Sequence, residues 1–433
     1  MGRIIYIAVR NILEHRRRSL TLGLAIGGVT VLLVLLMGIS NGMQSTMFRS
    51  ATTLLSGHVT VGGFYKFTPS SAAPIVTRYK DVRKVVEENV EGIDYIIDRM
   101  RGWGKIISDH SSQYASVDGV DIIQEKGFGE VLKIAEGDIS GLAEPNTILI
   151  FESHAKRLQV GVGDMLTIST PTFRGVNNTA SVRIVAIAAD IGILSGFMVY
   201  VPKATVRNLY QLSEETTGAV MVYLKDRRRA PEVLSQIRKA VAAAGYTIMP
   251  HEAKPFFMKF DTVKREDWTG QRIDVTTWED EISFLSWTIA SFDAISNVLV
   301  MVLLIIVVVG IMNALWMAIR ERTGEIGTLR AIGMSRWKVL WMFNLEAVFL
   351  TVFSAAVGAS IGWAIAAGIN ASDVEIGSQA VKMFLMSDTL FMELDLKSIL
   401  SAVMTITIFN GLGALYPAWR AARVPPVVAM RAA

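Results

Sequence analysis

The residues best placed for chemistry are the charged side chains of one stretch, Arg320–Lys338, which reads RERTGEIGTLRAIGMSRWK. Within it, Ile326 and Leu329 are three residues apart and predict a short amphipathic helix over Glu321–Leu329. Gly333 then ends that helix, as a glycine just after a C-cap commonly does. A short charged helix of this kind is suited to docking in a partner's groove. The alternative is an ordinary basic loop that obeys the positive-inside rule.

The chain carries no recognisable catalytic motif. It has no G-x-x-x-x-G-K-[ST] phosphate loop, no H-E-x-x-H and no G-x-S-x-G. Its five histidines are scattered over unrelated stretches, and it contains no cysteine, which excludes disulfides and cysteine metal sites. We therefore expect a chain that catalyses no reaction, binds no metal and holds no cofactor of its own.

The elements around the charged stretch are apolar and long. Of the 433 residues, 51% are hydrophobic, which is unusual for a soluble chain of this length. Roughly twenty apolar residues suffice to cross a ~30 Å hydrocarbon core. Four segments meet this length, the last diluted by Asn410 and two glycines: Leu20–Ile39, Ala294–Ile319, Leu345–Ile369 and Ile399–Tyr416.

Arginines cluster before the first of these spans, between the second and third, and after the fourth, whereas the short loop before the fourth is acidic. The positive-inside rule then places both termini and the 320–338 loop in the cytoplasm. Nucleic-acid binding explains these arginines poorly, because each cluster adjoins a span. The predicted layout is a cytoplasmic N-terminus, span and outer stalk (1–55), an extracytoplasmic domain (56–276), and a second stalk with three spans (277–433).

The region between the first and second spans has mixed helix and strand signals, which predict a large α+β domain. Helices are predicted over Asp81–Asn89 and Pro231–Ala244. Strands are predicted over Tyr95–Arg101, Ala115–Val120, Thr147–Ile150, Met165–Thr170, Ser181–Ile187, Met198–Val201, Ala219–Leu224 and Tyr246–Met249. The fold class is thus an α-helical membrane protein with four transmembrane helices and this domain inserted between helices 1 and 2.

Both membrane helices flanking that domain are expected to continue outside the membrane as stalks. The first runs on through methionines that are adaptable enough to accept varied apolar ligands. The second is predicted to be helical from Glu279 onward. A candidate apolar substrate surface therefore comprises Met43, Met47, Leu285, Ile289 and Phe292. The alternative is that these residues pack the two stalks together.

Two glycine pairs have the small-xxx-small spacing that allows close helix approach, Gly23 with Gly27 and Gly358 with Gly362. Glycine is also simply common in membrane helices. Glu346, near one end of the third span, is either functional, because intramembrane charge is costly, or paired structurally with an arginine of the loop.

Several of these stretches resemble the FtsX-like permease family of ABC transporters. They are ERTGEIGTLRAIGMSRWKV in the loop, ILIFESHAKRLQVGVGDMLTI in the outer domain and the ending LYPAWRAARVPPVVAMRAA. In that ending, Val424–Val428 reads VPPVV where the family commonly has LDPVE. The resemblance implies that the loop is the coupling helix that contacts an ATPase. Its residues would be Arg320, Glu321, Arg322, Glu325, Ile326, Leu329, Arg330 and Gly333.

The start Thr276-Thr277-Trp278 followed by an acidic helix resembles the lipoprotein-releasing branch of the family. This implies a permease of the bacterial inner membrane with a periplasmic domain, which extracts lipoproteins from the outer leaflet and passes them to a periplasmic carrier. Its partners would be two ATPase subunits that hold ATP and Mg, a second permease (a copy or a paralogue) and membrane lipids, but no nucleic acid. The alternatives are a macrolide or peptide exporter, a regulator of cell-wall hydrolases, and an anchored receptor or scaffold.

Overall fold

The computed structural model of the chain describes residues 10, 14, 16–69, 71–173, 175–372, 374, 376–377, 382 and 389–423. The tail from residue 424, Arg3 and most of the predicted acidic loop lie outside the described residues. The chain divides into two compact units. A helical unit comprises Met1–Gln44, Ala290–Val374 and Leu390–Ala433, and an outer unit comprises Ser45–Ile289 with Glu375–Thr389.

In chain order, the helices are α1 (Arg16–Leu54), α2 (Tyr79–Asn89), α3 (Phe128–Val131), α4 (Glu152–Leu158), α5 (Lys203–Tyr210), α6 (Ala230–Ala243), α7 (Phe256–Arg265), α8 (Trp278–Glu281), α9 (Ser286–Glu321), α10 (Thr323–Ala331), α11 (Arg336–Ala371) and α12 (Leu396–Ala422). The strands are β1 (Val59–Lys66), β2 (Ile93–Arg99), β3 (Trp103–Ile107), β4 (Ser112–Val120), β5 (Ile134–Gly137), β6 (Thr147–Phe151), β7 (Met165–Pro171), β8 (Asn177–Ala188), β9 (Met198–Pro202), β10 (Ala219–Leu224) and β11 (Gly270–Thr277).

Four of these helices are long and apolar enough to cross a membrane: α1, α9, α11 and α12. They contain all four predicted spans, so the chain is a multi-pass membrane protein. Their shared core includes Ile26 of α1, Ile311 of α9, Ala355 of α11 and Ile406 of α12. Many of their large apolar side chains are nevertheless exposed, Phe353 by 72%. Such a surface is stable in lipid, where apolar side chains need no burial.

The outer unit contains two sheets. The first has the antiparallel order β11-β1-β10-β2, and its apolar core includes residues of α2 and α6. In the second, β8, β6, β9, β4, β3 and β7 pair in turn, and β7 pairs back onto β8, which closes a ring of six strands. Strand β5 adds to β8 outside that ring. The predicted fold class is confirmed.

Two local predictions differ from the structure. Tyr246–Met249 does not form a strand, because it pairs through an isolated bridge between Ile248 and Ile273 rather than a ladder among the residues that the structure describes. The second stalk is not one continuous helix from Glu279. The one-turn helix α8 is followed by a 3₁₀ turn, Ser283–Leu285, and α9 begins only at Ser286. The first stalk does continue as predicted, since α1 is helical to Leu54.

Candidate functional site: the α10 segment and the outer helix anchors

The segment between α9 and α11 folds as a separate short helix, α10, which begins and ends two residues later than predicted. Its end is set by Gly333, whose φ of 102° lies in the left-handed region that favours glycine. The backbone N–H of Met334 donates to the carbonyl of Leu329 at 3.0 Å, which satisfies one of the last carbonyls of the helix.

One face of α10 is fixed to the helical unit. Ile326 is 2% exposed and lies in an apolar cluster with Ile319, Val339, Phe343 and others. Farther along, a guanidinium N–H of Arg330 donates to the carbonyl of Ala422, at the end of α12, at 2.6 Å. Movement of α10 would therefore be transmitted to the long helices that meet it. Ile326 and Arg330 face the chain's own helices, so a role in binding a partner stays a prediction for both.

A charged pair connects the start of α10 to α11. The Arg322 guanidinium lies 2.9 Å from the Glu325 carboxylate and 3.5 Å from the buried carboxylate of Glu346. Burying a carboxylate without a cation would be costly. The structure therefore gives Glu346 the loop-arginine partner that the sequence left open.

The other face of α10 is exposed. Glu325, Thr328 and Ile332 recur at helical spacing, and all three are exposed, Ile332 by 86%. Arg320, Glu321 and Gly333 are exposed as well, whereas Arg322 and Leu329 are half-buried. Sequence reasoning missed Ile332 and the 70%-exposed Trp337. The same three-and-four spacing, counted from Glu325 rather than from Ile326, would have found Ile332.

The candidate substrate residues do not form one exposed surface. Met43 and Met47 are each only 3% exposed, and Ile289 and Phe292 are half-buried. The side chain of Leu285 lies outside the described part of the structure. In this conformation the methionine stripe of α1 offers little surface, so substrate contact there stays a prediction that requires the chain to open.

The outer end of α1 is held by buried side chains from three strands. The last carbonyls of a helix have no partner within it. Here the Tyr223 hydroxyl donates to the carbonyl of Thr52 at 2.8 Å, and the Tyr200 hydroxyl donates to that of Leu54 at 3.1 Å. Arg99 also donates to the Leu54 carbonyl at 2.8 Å.

Arg99 is itself fully buried and is paired with a buried carboxylate. Its Nε donates to Glu125 at 2.6 Å, and a second N–H reaches the other oxygen of the same carboxylate. Such two-point pairs are directional as well as strong. We call Arg99, Glu125, Tyr200 and Tyr223 the α1 anchor. It fixes the end of a membrane helix to β2, β9 and β10.

A second group of buried polar residues holds the start of α8. Thr277 and Asp280 form a capping box, in which each side chain bonds the other residue's backbone N–H. Glu281 accepts from the Thr276 hydroxyl at 2.7 Å and lies 3.8 Å from the Arg101 guanidinium. Burial raises the pKa of Glu281. We call Arg101, Thr276 and Glu281 the α8 anchor.

The two anchors meet at the end of one strand, because Arg99 and Arg101 are two residues apart. Both line a small cavity of about 30 Å³ together with Asp118 and Phe256. Burial raises the pKa of Asp118 to about 6. The anchors thus hold the last residues of α1 and the segment that precedes α9 close together within the outer unit.

The two predicted glycine pairs lie against each other in the helical unit. A Cβ built on Gly358 would come within 2.4 Å of the Gly27 carbonyl oxygen, and one on Gly362 would lie 3.1 Å from the Val34 side chain. A Cβ on Gly23 would be 2.9 Å from the Ser354 hydroxyl. Glycine is therefore required for this close contact of α1 with α11.

Within the described ranges, no three His, Asp or Glu side chains are grouped so that they could hold a metal ion.

Comparison with known proteins places these features in a family. Residues 20–240, about half of the chain, match the family model of a MacB-like periplasmic core domain, and residues 297–426 match that of the FtsX-like permease C-terminal region. The outer unit with α1 accounts for the first match, and α9 to α12 account for the second.

Individual relatives are more distant. A macrolide export ATP-binding/permease protein MacB from Neisseria gonorrhoeae is 24% identical over 84% of this chain and 53% of its own length. One from Mannheimia succiniciproducens is 23% identical over 98% of this chain and 60% of its own length. The chain therefore spans a little over half the length of these relatives. The solved periplasmic region of MacB from Actinobacillus actinomycetemcomitans aligns with a TM-score of 0.31 at 11% identity, covering 53% of this chain and 94% of its own.

Proposed function

Because this chain belongs to the family of FtsX-like permeases with a MacB-like periplasmic core domain, we propose that it is the membrane subunit of an ABC transporter complex that extracts lipoproteins from the outer leaflet of the bacterial inner membrane. It works mechanically: ATP hydrolysis moves α10, the long helices carry the movement, and the outer unit responds. A second permease, either a copy or a paralogue, completes the complex.

The observation that carries this proposal is the pair of buried anchors. A membrane helix can pass movement to an outer domain only if its end does not swivel freely. Arg99 and the two tyrosines occupy the terminal carbonyls of α1, and Glu281 is held by Thr276 and Arg101. Buried hydrogen-bonded charges are costly to separate. Movement of the helix is therefore passed to the strands instead of being lost in local deformation at the helix end.

Lipoprotein extraction fits such a mechanical device because the acyl chains of a lipoprotein are anchored in the bilayer, and a large amount of work is needed to withdraw them. Each methylene withdrawn from the bilayer costs ~0.8 kcal/mol, so complete acyl chains need an external energy source. The Thr276-Thr277-Trp278 start and the acidic helix after it favour this branch. ATP and Mg would be held by two copies of an ATPase that lies outside these 433 residues, which contain no phosphate loop.

Macrolide export is the second candidate, and the names of the curated relatives favour it. One reconstituted system distinguishes lipoprotein extraction from macrolide export. Proteoliposomes containing the permease, its ATPase and a fluorescent triacylated lipoprotein are given ATP and a soluble periplasmic carrier. ATP-dependent transfer of lipoprotein to the carrier supports extraction. Transport of a labelled macrolide without lipoprotein transfer would overturn it in favour of export.

The proposed topology has both termini and α10 in the cytoplasm and the outer unit in the periplasm. The chain lacks cysteine, so Ser335→Cys and Ser111→Cys each create a unique label site. An impermeant thiol reagent added to intact spheroplasts should label Ser111→Cys and spare Ser335→Cys until the membrane is broken. The reverse pattern contradicts the topology.

A further inference from the structure

An apolar patch on the outer unit has no role in the function proposed above. It comprises Phe257 and Met258 at the first turn of α7, Phe284 in the 3₁₀ turn, and Trp287 at the start of α9. Phe257 is 39% exposed, Met258 48% and Trp287 77%. The Phe257 ring packs edge-on against Phe284 at 5.7 Å between centroids. We call these four residues the aromatic platform.

The platform is not a by-product of how α7 packs. The helix is held by its opposite face, where Val263 is buried and the Lys259 ammonium lies 2.7 Å from Asp274. Phe256, beside the platform, is covered by the Arg101 guanidinium at 4.0 Å. Phe257 and Met258 could therefore be polar without loss of this core. Leaving them exposed to water forfeits about 25 cal/mol for each Å² of apolar surface.

The position of Trp287 in the chain indicates what covers the platform. Trp287 lies in the continuous helix α9, two residues before the apolar span Ile289–Glu321. At 1.5 Å per residue, it sits about 3 Å from the start of that span. Tryptophan is enriched at this depth, where the apolar ring meets the lipid headgroups. Phe284 is one helical turn earlier and contacts Phe257 directly.

Charges of both signs lie near the platform. Lys254, Lys264 and Arg265 are exposed on or beside α7, together with the carboxylates of Asp261 and Asp267. Apolar and aromatic side chains flanked by cations are typical of segments that lie in a membrane interface. We propose that the aromatic platform inserts into the headgroup layer of the outer leaflet, and that its partner is the phospholipid bilayer itself.

Depth-dependent quenching tests this inference. Because the chain has no cysteine, the full-length variants Met258→Cys and Trp287→Cys each take a single NBD label. The matched control is Ser235→Cys, an exposed position on α6. Each labelled protein is reconstituted alone in nanodiscs of phosphatidylethanolamine and phosphatidylglycerol. Quenching is compared between lipids that carry a nitroxide near the headgroup and lipids that carry it near the chain end.

The inference expects the headgroup-side nitroxide to quench the label at 258 and at 287 more strongly than the chain-end nitroxide, with no quenching at 235. A blue-shifted label at 258 that no lipid quenches indicates a protein partner, such as a second copy, and overturns the proposal. Solvent-like emission at 258 also overturns it. Quenching seen only with nitroxide-labelled acyl chains on a lipoprotein would make the platform a substrate site instead. The comparison between the two nitroxide lipids needs neither ATP nor lipoprotein, so its outcome is independent of lipoprotein extraction.

Discussion

The α10 segment and the outer anchors are built in opposite ways. At the anchors, polar groups are buried and paired, and the carbonyls of Thr52 and Leu54 at the end of α1 receive side-chain donors. At α10, one face is buried through Ile326, but Glu325, Thr328 and Ile332 are exposed and leave an apolar side chain in contact with solvent. The anchors hold the chain together, whereas the exposed face of α10 is suited to receiving a partner. A mechanical relay needs one region of each kind.

The largest expected effect comes from breaking the α1 anchor. Arg99→Met leaves Glu125 buried without its cation and removes the donor to Leu54, which should lower the free energy of unfolding by about 3–5 kcal/mol. Thermal unfolding of the full chain in detergent would show this as a large fall in Tm. Arg228→Met is the control, because Arg228 is 86% exposed in its pair with Asp226. Equal Tm values for the two variants would mean that the anchor does not stabilise the outer unit.

The next effect tests the exposed face of α10. Glu325→Lys and Ile332→Ser should leave the free energy of unfolding within about 1 kcal/mol of wild type, because Ile332 is exposed and the pair of Glu325 with Arg322 is at the surface. If this face docks the ATPase, each should weaken the complex by roughly tenfold or more. Glu325→Lys reverses an interfacial charge, and Ile332→Ser removes apolar surface that the partner would bury. Co-purification and stimulated ATP turnover measure the loss.

Ala331→Ser, an exposed position next to Ile332, is the matched control for those two variants. Wild-type assembly and turnover in Glu325→Lys and Ile332→Ser would favour the ordinary-loop interpretation of this segment.

A smaller effect is expected where α1 contacts α11. Gly358→Ala places a Cβ 2.4 Å from the Gly27 carbonyl oxygen, so the helices must separate. Overpacking of this kind costs about 1–3 kcal/mol. Gly28→Ala is the matched control, because nothing lies within 4 Å of its added Cβ. In detergent, the free energy of unfolding should therefore be lower for Gly358→Ala than for wild type, and unchanged for Gly28→Ala. A Gly28→Ala variant less stable than Gly358→Ala would exclude close contact at Gly358.

The smallest expected effect is a pH dependence of stability that arises from Asp118, which lines the cavity between the two anchors. Burial raises the pKa of Asp118 from 3.8 to about 6, so the folded chain holds this proton more tightly than the unfolded chain does. The resulting stability is full below about pH 4 and is lost as the pH rises through about 6. Between about pH 5 and pH 8, wild type should lose about 1 kcal/mol more than Asp118→Asn. Asp109→Asn, at an exposed position, should behave like wild type, and parallel curves for all three would show that Asp118 does not titrate in this range.

Some of these features follow from local pattern alone. The length of each apolar run predicts the four spans because lipid accepts apolar side chains on every face of a helix. Gly333 marks the end of α10 because only glycine adopts its φ of 102° without strain. The spacing of Gly23, Gly27, Gly358 and Gly362 predicts close helix contact because a missing side chain is a property of the residue itself.

Other features were decided by residues far apart in the chain. The Tyr223 hydroxyl and the Thr52 carbonyl are 171 positions apart, and the sequence near either residue gives no sign of the other. Which face of α10 is buried depends on α11 and α12. Ile326 packs in a cluster with residues of these helices, whereas Ile332 stays exposed. The sequence by itself determined which segments are helical or apolar, because those preferences act between near neighbours. Only the tertiary structure decided which polar groups are paired and which apolar side chains stay exposed, because burial depends on what packs from elsewhere.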